Sequence, residues 1–118
     1  MNMHNAKGDT ANEAAELPLS ACKLVTIICE AELENDLVRD LQALDAKGYT
    51  ITDARGRGAR GVRDASWTAG ANIRVEVLCD GRIATAIVKH LAHRYYAHYA
   101  MVLFVSDVSV LRPEKFST

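Results

Sequence analysis

Cysteine is scarce in this chain. Cys22, Cys29 and Cys79 are its only three, they lie far apart, and no CxxC pair occurs. That pattern excludes a disulfide frame. The two prolines, Pro18 and Pro113, fall outside the segments with regular hydrophobic spacing. No apolar run approaches the length of a membrane span, and the N-terminus lacks the apolar core of a signal peptide. The cysteines therefore read as free thiols of a cytoplasmic protein. An excess of one charge is also missing: 14 basic residues face 15 acidic ones, for a net charge of -1. Nucleic acid and membrane surfaces usually demand a basic excess, so neither is expected as a general partner. No repeat occurs at solenoid periods.

What the chain does have is one concentrated basic stretch. Residues 55–70 hold Arg55, Arg57, Arg60 and Arg63 against a single acid, Asp64, with Gly56, Gly58, Gly61 and Gly70 between them. The flanking segments, Tyr49–Ala54 and Asn72–Cys79, read as strands, and the stretch joining them is too long for a tight hairpin turn. Gly56, Gly58 and Gly61 allow a ligand close to the backbone, and arginine forks suit phosphate or carboxylate. These residues describe an anion-binding loop, with a solvated hairpin loop as the plainer alternative.

Along the chain, residues 1–21 are mainly small and polar and form an expected disordered N-terminal extension. Residues 22–118 form one domain. Leu24, Val25, Ile27 and Ile28 mark a buried first strand. Leu33, Leu37, Leu41 and Leu44 form the apolar stripe of a helix, acidic at its start and closed by Lys47-Gly48. Ile73, Val75 and Val77 alternate with Arg74 and Glu76 in a third strand. Asp80 caps a second helix with Ile83, Ile87 and Leu91 on its buried side, running to about Tyr96–His98. Tyr99–Val105 begins a last apolar strand. The order βαββαβ is α+β and ferredoxin-like, with two helices on one face of a four-stranded sheet. The first and last strands are apolar on both faces, so the uncovered face should be buried against further copies of the chain.

Four other constellations give weaker signals. His90, His93 and His98 lack a completing carboxylate or cysteine, so no metal is expected. Ser66 and Asp64 have no histidine beside them and make no hydrolytic site. Cys29 and Cys79 end strands expected to lie side by side and parallel, most simply as two inert buried thiols. Trp67 in the basic loop is an anchor for a protein partner or a loose exposed ring.

Gly48-Tyr-Thr50, Gly56-Arg-Gly58 and Ile73-Arg-Val-Glu-Val77 together resemble the PII signalling proteins and their PII-like relatives, over Lys23 to about Leu111. Gly56-Arg-Gly-Ala-Arg-Gly-Val-Arg63 is closest to the subgroup associated with bicarbonate transporters and carboxysomes. The long loop matches that family's T-loop. The resemblance implies a homotrimer, not an enzyme, with adenine nucleotides in the clefts between subunits and a T-loop that reports the ligand. Ile27, Thr50 and Leu78 match adenine-pocket positions, Gly56 and Gly58 match backbone positions near the nucleotide, and Arg60 matches a phosphate-reaching side chain. Arg60, Gly61 and Arg63 are the candidates for holding bicarbonate. One departure stands out. Where nitrogen-regulating members carry a glycine-rich loop ending in lysine that wraps the terminal phosphates, this chain has Tyr95-Tyr-Ala-His-Tyr-Ala100, and only Arg112 remains of a terminal arginine pair. That favours ADP, AMP or a cyclic nucleotide over ATP. The implied protein partner is a bicarbonate transporter or carboxysome-related protein. The alternative is a small ferredoxin-like enzyme with weak nucleotide-hydrolysing activity, for which Glu76 and Asp53 are the candidate water-activating carboxylates.

Overall fold

Alternation of apolar and polar residues builds the sheet. The computed structural model describes residues 18–56 and 72–112. Strand β1 spans Ser20–Glu30, and a single 3-10 turn, Ala31–Leu33, leads into helix α1, Glu34–Ala43. Strands β2 (Thr50–Ala54) and β3 (Asn72–Cys79), helix α2 (Gly81–Tyr95) and strand β4 (Val102–Val110) follow. The sheet order is β2-β3-β1-β4 and every neighbouring pair is antiparallel. This is the expected ferredoxin-like α+β arrangement.

One face of the sheet meets the helices. Val25, Ile27 and Cys29 pair across strands with Val77, Val75 and Ile73, and all six are buried. Leu33 of the 3-10 turn and Leu37 and Leu41 of the first helix cover them, with Ile83, Ala84, Ile87, Leu91 and Tyr95 from the second. Truncating a side chain such as Leu41, which is fully enclosed, is worth about 2–5 kcal/mol.

The helix ends separate what was expected from what forms. Asp80 caps α2 as its residue type predicts: its Oδ1 accepts the Ile83 amide at 2.9 Å. Helix α2 ends at Tyr95, a little before the expected Tyr96–His98. Helix α1 does not close at Lys47-Gly48. It stops at Ala43, and Asp45 takes the left-handed position with φ 71°. The Ala46 amide then reaches the Leu41 carbonyl at 3.0 Å and the Asp45 amide the Gln42 carbonyl at 3.1 Å, the two bonds of a Schellman cap. An aspartate tolerates that backbone better than most side chains, so glycine was not required there.

The second face is only half apolar. On β1 and β4 it carries Leu24, Ile28, Val102, Phe104 and Val108. Towards β2 it becomes polar, with the cross-strand row Thr26–Glu76–Thr50 beside Arg74–Thr52. Arg74 Nη2 lies 3.5 Å from Glu76 Oε2. On β4, Val102 and Phe104 remain 50% and 42% exposed on this face. No helix among the described residues covers them.

The thiols also differ from expectation. Strands β1 and β3 are antiparallel, with Lys23 opposite Cys79 and Cys29 opposite Ile73. Cys29 and Cys79 therefore sit about 20 Å apart along the ladder, not side by side. Cys22 is the neighbour of Cys79, its Sγ 3.2 Å from the Cys79 carbonyl oxygen. All three thiols are free and buried.

Candidate nucleotide and anion site

The basic loop leaves the sheet at the outer hairpin. Ala54 pairs with Asn72 as the last rung between β2 and β3, so the two ends of the loop are held together. Arg55 and Gly56 are exposed just beyond that rung. A Cβ added at Gly56 would meet nothing within 4 Å, so this chain's own packing does not demand glycine there. Gly58, Arg60, Gly61, Arg63 and Trp67 lie outside the described residues.

The remaining expected contacts separate into distinct places. Thr50 pairs with Glu76, and Leu78 lies two residues further along the same strand, so Thr50 and Leu78 share the uncovered face as diagonal neighbours. They sit at the opposite end of the β2–β3 ladder from Gly56, about 20 Å away along the strand. Ile27 points to the other face and is fully enclosed in the core. It backs its strand and offers no side-chain surface to a ligand.

The last turns of α2 share a network with α1 that the sequence did not announce. Asp40 of α1 is enclosed, its side chain 6% exposed. Its Oδ2 accepts the Tyr95 hydroxyl. Its Oδ1 accepts Arg94 Nη1 at 2.6 Å and lies 3.2 Å from His90 Nε2. Burial, then the bond to Asp40, pushes the Tyr95 phenol well above its ordinary range. The Arg94 guanidinium also stacks over the Tyr95 ring, 5.2 Å from its centroid. A signal for this existed: Asp40 falls three residues after Leu37 and four before Leu44, so a charge sits within the apolar stripe. His90 thus serves a carboxylate. Among the described residues no group of histidine, cysteine and carboxylate side chains is arranged to hold a metal ion.

After Tyr95 the chain turns without glycine. The amides of His98 and Tyr99 both donate to the Tyr95 carbonyl, at 3.1 and 3.0 Å, and the Tyr96 amide donates to Ala92. These amides are already used. Nor do the thiols supply a nucleophile. Burial, aided by Glu30 and Glu34, pushes Cys29 up to about 11, and burial, aided by Cys22 and Asp80, does the same to Cys79. Both stay protonated at neutral pH.

A four-stranded antiparallel sheet with both helices on one face is a ferredoxin-like domain, and a long glycine–arginine stretch joins its β2 and β3. Residues 22–115 match the family model of nitrogen regulatory protein P-II, and the chain belongs to that family. Its members are regulatory proteins. A PII-like signalling protein from Thermus thermophilus is 46% identical, with a TM-score of 0.71 over 83% of this chain and 97% of that one. CPII from Thiomonas intermedia, a nitrogen regulatory PII-like protein, was solved with ADP and bicarbonate. It is 25% identical, with a TM-score of 0.74 over 85% of this chain and 98% of its own. The same protein was also solved with ADP, AMP and bicarbonate, at 24% identity and a TM-score of 0.74 over 86% and 99% of the two chains. No helix among the described residues is long and apolar enough to cross a membrane.

Proposed function

We propose that this chain is a trimeric PII-like sensor rather than an enzyme. It binds an adenine nucleotide between subunits, ADP or AMP in preference to ATP, and bicarbonate beside it. The ligand state passes through the 55–70 loop to a protein partner in inorganic-carbon metabolism, such as a bicarbonate transporter or a carboxysome-related protein. The observation that carries this function is the P-II match across residues 22–115. CPII, with its ADP, AMP and bicarbonate, supplies the ligand classes.

Thr50 and Leu78 meet the adenine, Gly56 and Gly58 bring backbone to the nucleotide, and Arg60 takes the phosphates. Arg60, Gly61 and Arg63 hold the bicarbonate, and Trp67 anchors the partner. Because Thr50 and Leu78 lie far from Gly56 along the ladder, a site combining them draws its parts from neighbouring copies. The α2–β4 turn supports the preference for fewer phosphates. A third phosphate needs free donors, and the amides of Tyr96, His98 and Tyr99 are already bonded.

Calorimetry of the full chain with AMP, ADP, ATP and cyclic AMP, each with and without bicarbonate, tests this directly. ADP or AMP is expected to bind more tightly than ATP. Equal affinity for ATP removes the preference, and no heat with any of the four removes the sensor. Arg60→Ala should cost ADP on the order of 1.5–3 kcal/mol, the range for a charge-assisted hydrogen bond.

A further inference from the structure

The α2–β4 turn is held by one residue in three ways. Tyr95 accepts the His98 and Tyr99 amides on its carbonyl. Its ring meets that of Tyr99 edge to face, with centroids 5.9 Å apart. Its hydroxyl is fixed by Asp40 from the other helix. Asp40 in turn has both oxygens engaged, one by Tyr95 and one by Arg94, with His90 alongside. Apolar packing between helices tolerates small shifts in register, whereas a buried carboxylate with directional partners permits one arrangement. The position of the turn therefore depends on a side chain 55 residues away in sequence.

We infer that Asp40 is a positioning residue for the nucleotide site. It holds Tyr95, and the Tyr95 carbonyl holds the turn in the form whose His98 and Tyr99 amides cannot be given to a third phosphate. This deepens the proposed function and rests on the phosphate end of the nucleotide lying beside the turn. Asp40→Asn keeps the shape but presents an amide to Arg94 and weakens the charge-assisted bonds. Tyr95→Phe removes only the hydroxyl, and serves if Asp40→Asn folds poorly.

The test is hydrogen exchange at residues 96–101 together with ADP and ATP affinities of the full chain. In both variants, exchange in the turn should rise about fivefold or more while β1 and β3 amides change little. The preference for ADP over ATP should fall by a similar factor. Exchange that rises only in step with the strands makes Asp40 a general stabiliser and overturns the inference. So does a loosened turn with an unchanged ADP-to-ATP ratio. Wild-type protein that binds neither nucleotide refutes the site itself, and this role for Asp40 falls with it.

Discussion

Asp45 and the thiols show how single positions carry energies that residue type alone does not assign. Asp45 holds φ 71° at the C-terminal cap of α1 and is exposed. Glycine adopts that backbone without cost to Cβ, so Asp45→Gly should raise stability by about 0.5–1 kcal/mol, read as a higher urea midpoint. Asp45→Val should lower it, since a branched side chain is strained there. A lower midpoint for the glycine variant would mean that the aspartate side chain does more than its backbone suggests. Cys29 and Cys79 make a statement about pH. Their folded values rise from 9.0 to about 11, chiefly because burial disfavours the thiolate. Below pH 9 both states keep the protons and the contribution is fully present. Between pH 9 and 11 the unfolded chain releases them first, so stability falls as pH rises, by at most about 1.4 kcal/mol per pH unit for each thiol. Cys29→Ala should flatten that decline even if it lowers stability overall. An unchanged slope would show that the thiol is not held neutral.

At the scale of elements, the strands and helices were legible because their burial is periodic. The β3 alternation of Ile73, Val75 and Val77 with Arg74 and Glu76 appears in the structure residue for residue. The Leu33–Leu37–Leu41 stripe does as well. What the sequence concealed were features that depend on two elements at once. The antiparallel run of β1 against β3 separated Cys29 from Cys79 and brought Cys22 to Cys79 instead, which no spacing within one segment could reveal. Asp40 was visible as a charge in an apolar stripe, but its partners lie on another helix, and their meeting needs the helix register. The cap of α1 was misplaced because glycine is the stronger signal, while the backbone needed only a residue that tolerates φ above zero. Within the site, Thr50 and Leu78 came together on the uncovered face. Ile27 did not join them, because strand alternation sends its side chain into the core.

For the whole molecule, the uncovered face and its edge strand bear on the proposed trimer, and the proposed site depends on that trimer. Val102 and Phe104 stay exposed on β4, while Leu24, Ile28 and Val108 continue the apolar half of the same face. Light scattering should return a trimer at micromolar concentrations, and Phe104→Asp should shift it towards monomer and weaken nucleotide binding in parallel. A stable wild-type monomer would remove the shared cleft on which the proposed site depends. In the proposed cleft, the 55–70 stretch would couple two ligands. Residues 55–70 carry few apolar side chains, so ordering them gains little burial to offset the entropy it costs. Arg55, Arg57, Arg60 and Arg63 also repel one another when gathered without an anion. On the proposed reading, a nucleotide's phosphates would relieve that repulsion at Arg60, and bicarbonate would do so at Arg63. Each ligand then meets a loop partly ordered by the other, which is cooperativity without rearrangement of the core. Bicarbonate should therefore tighten ADP or AMP binding by about fivefold or more, and the nucleotide must tighten bicarbonate by the same factor. Trp67 is the only tryptophan and lies in this stretch, so its fluorescence should follow the ordering. If both the Trp67 signal and the nucleotide affinity ignore millimolar bicarbonate at fixed pH and ionic strength, the bicarbonate half of the mechanism fails and a nucleotide sensor alone remains.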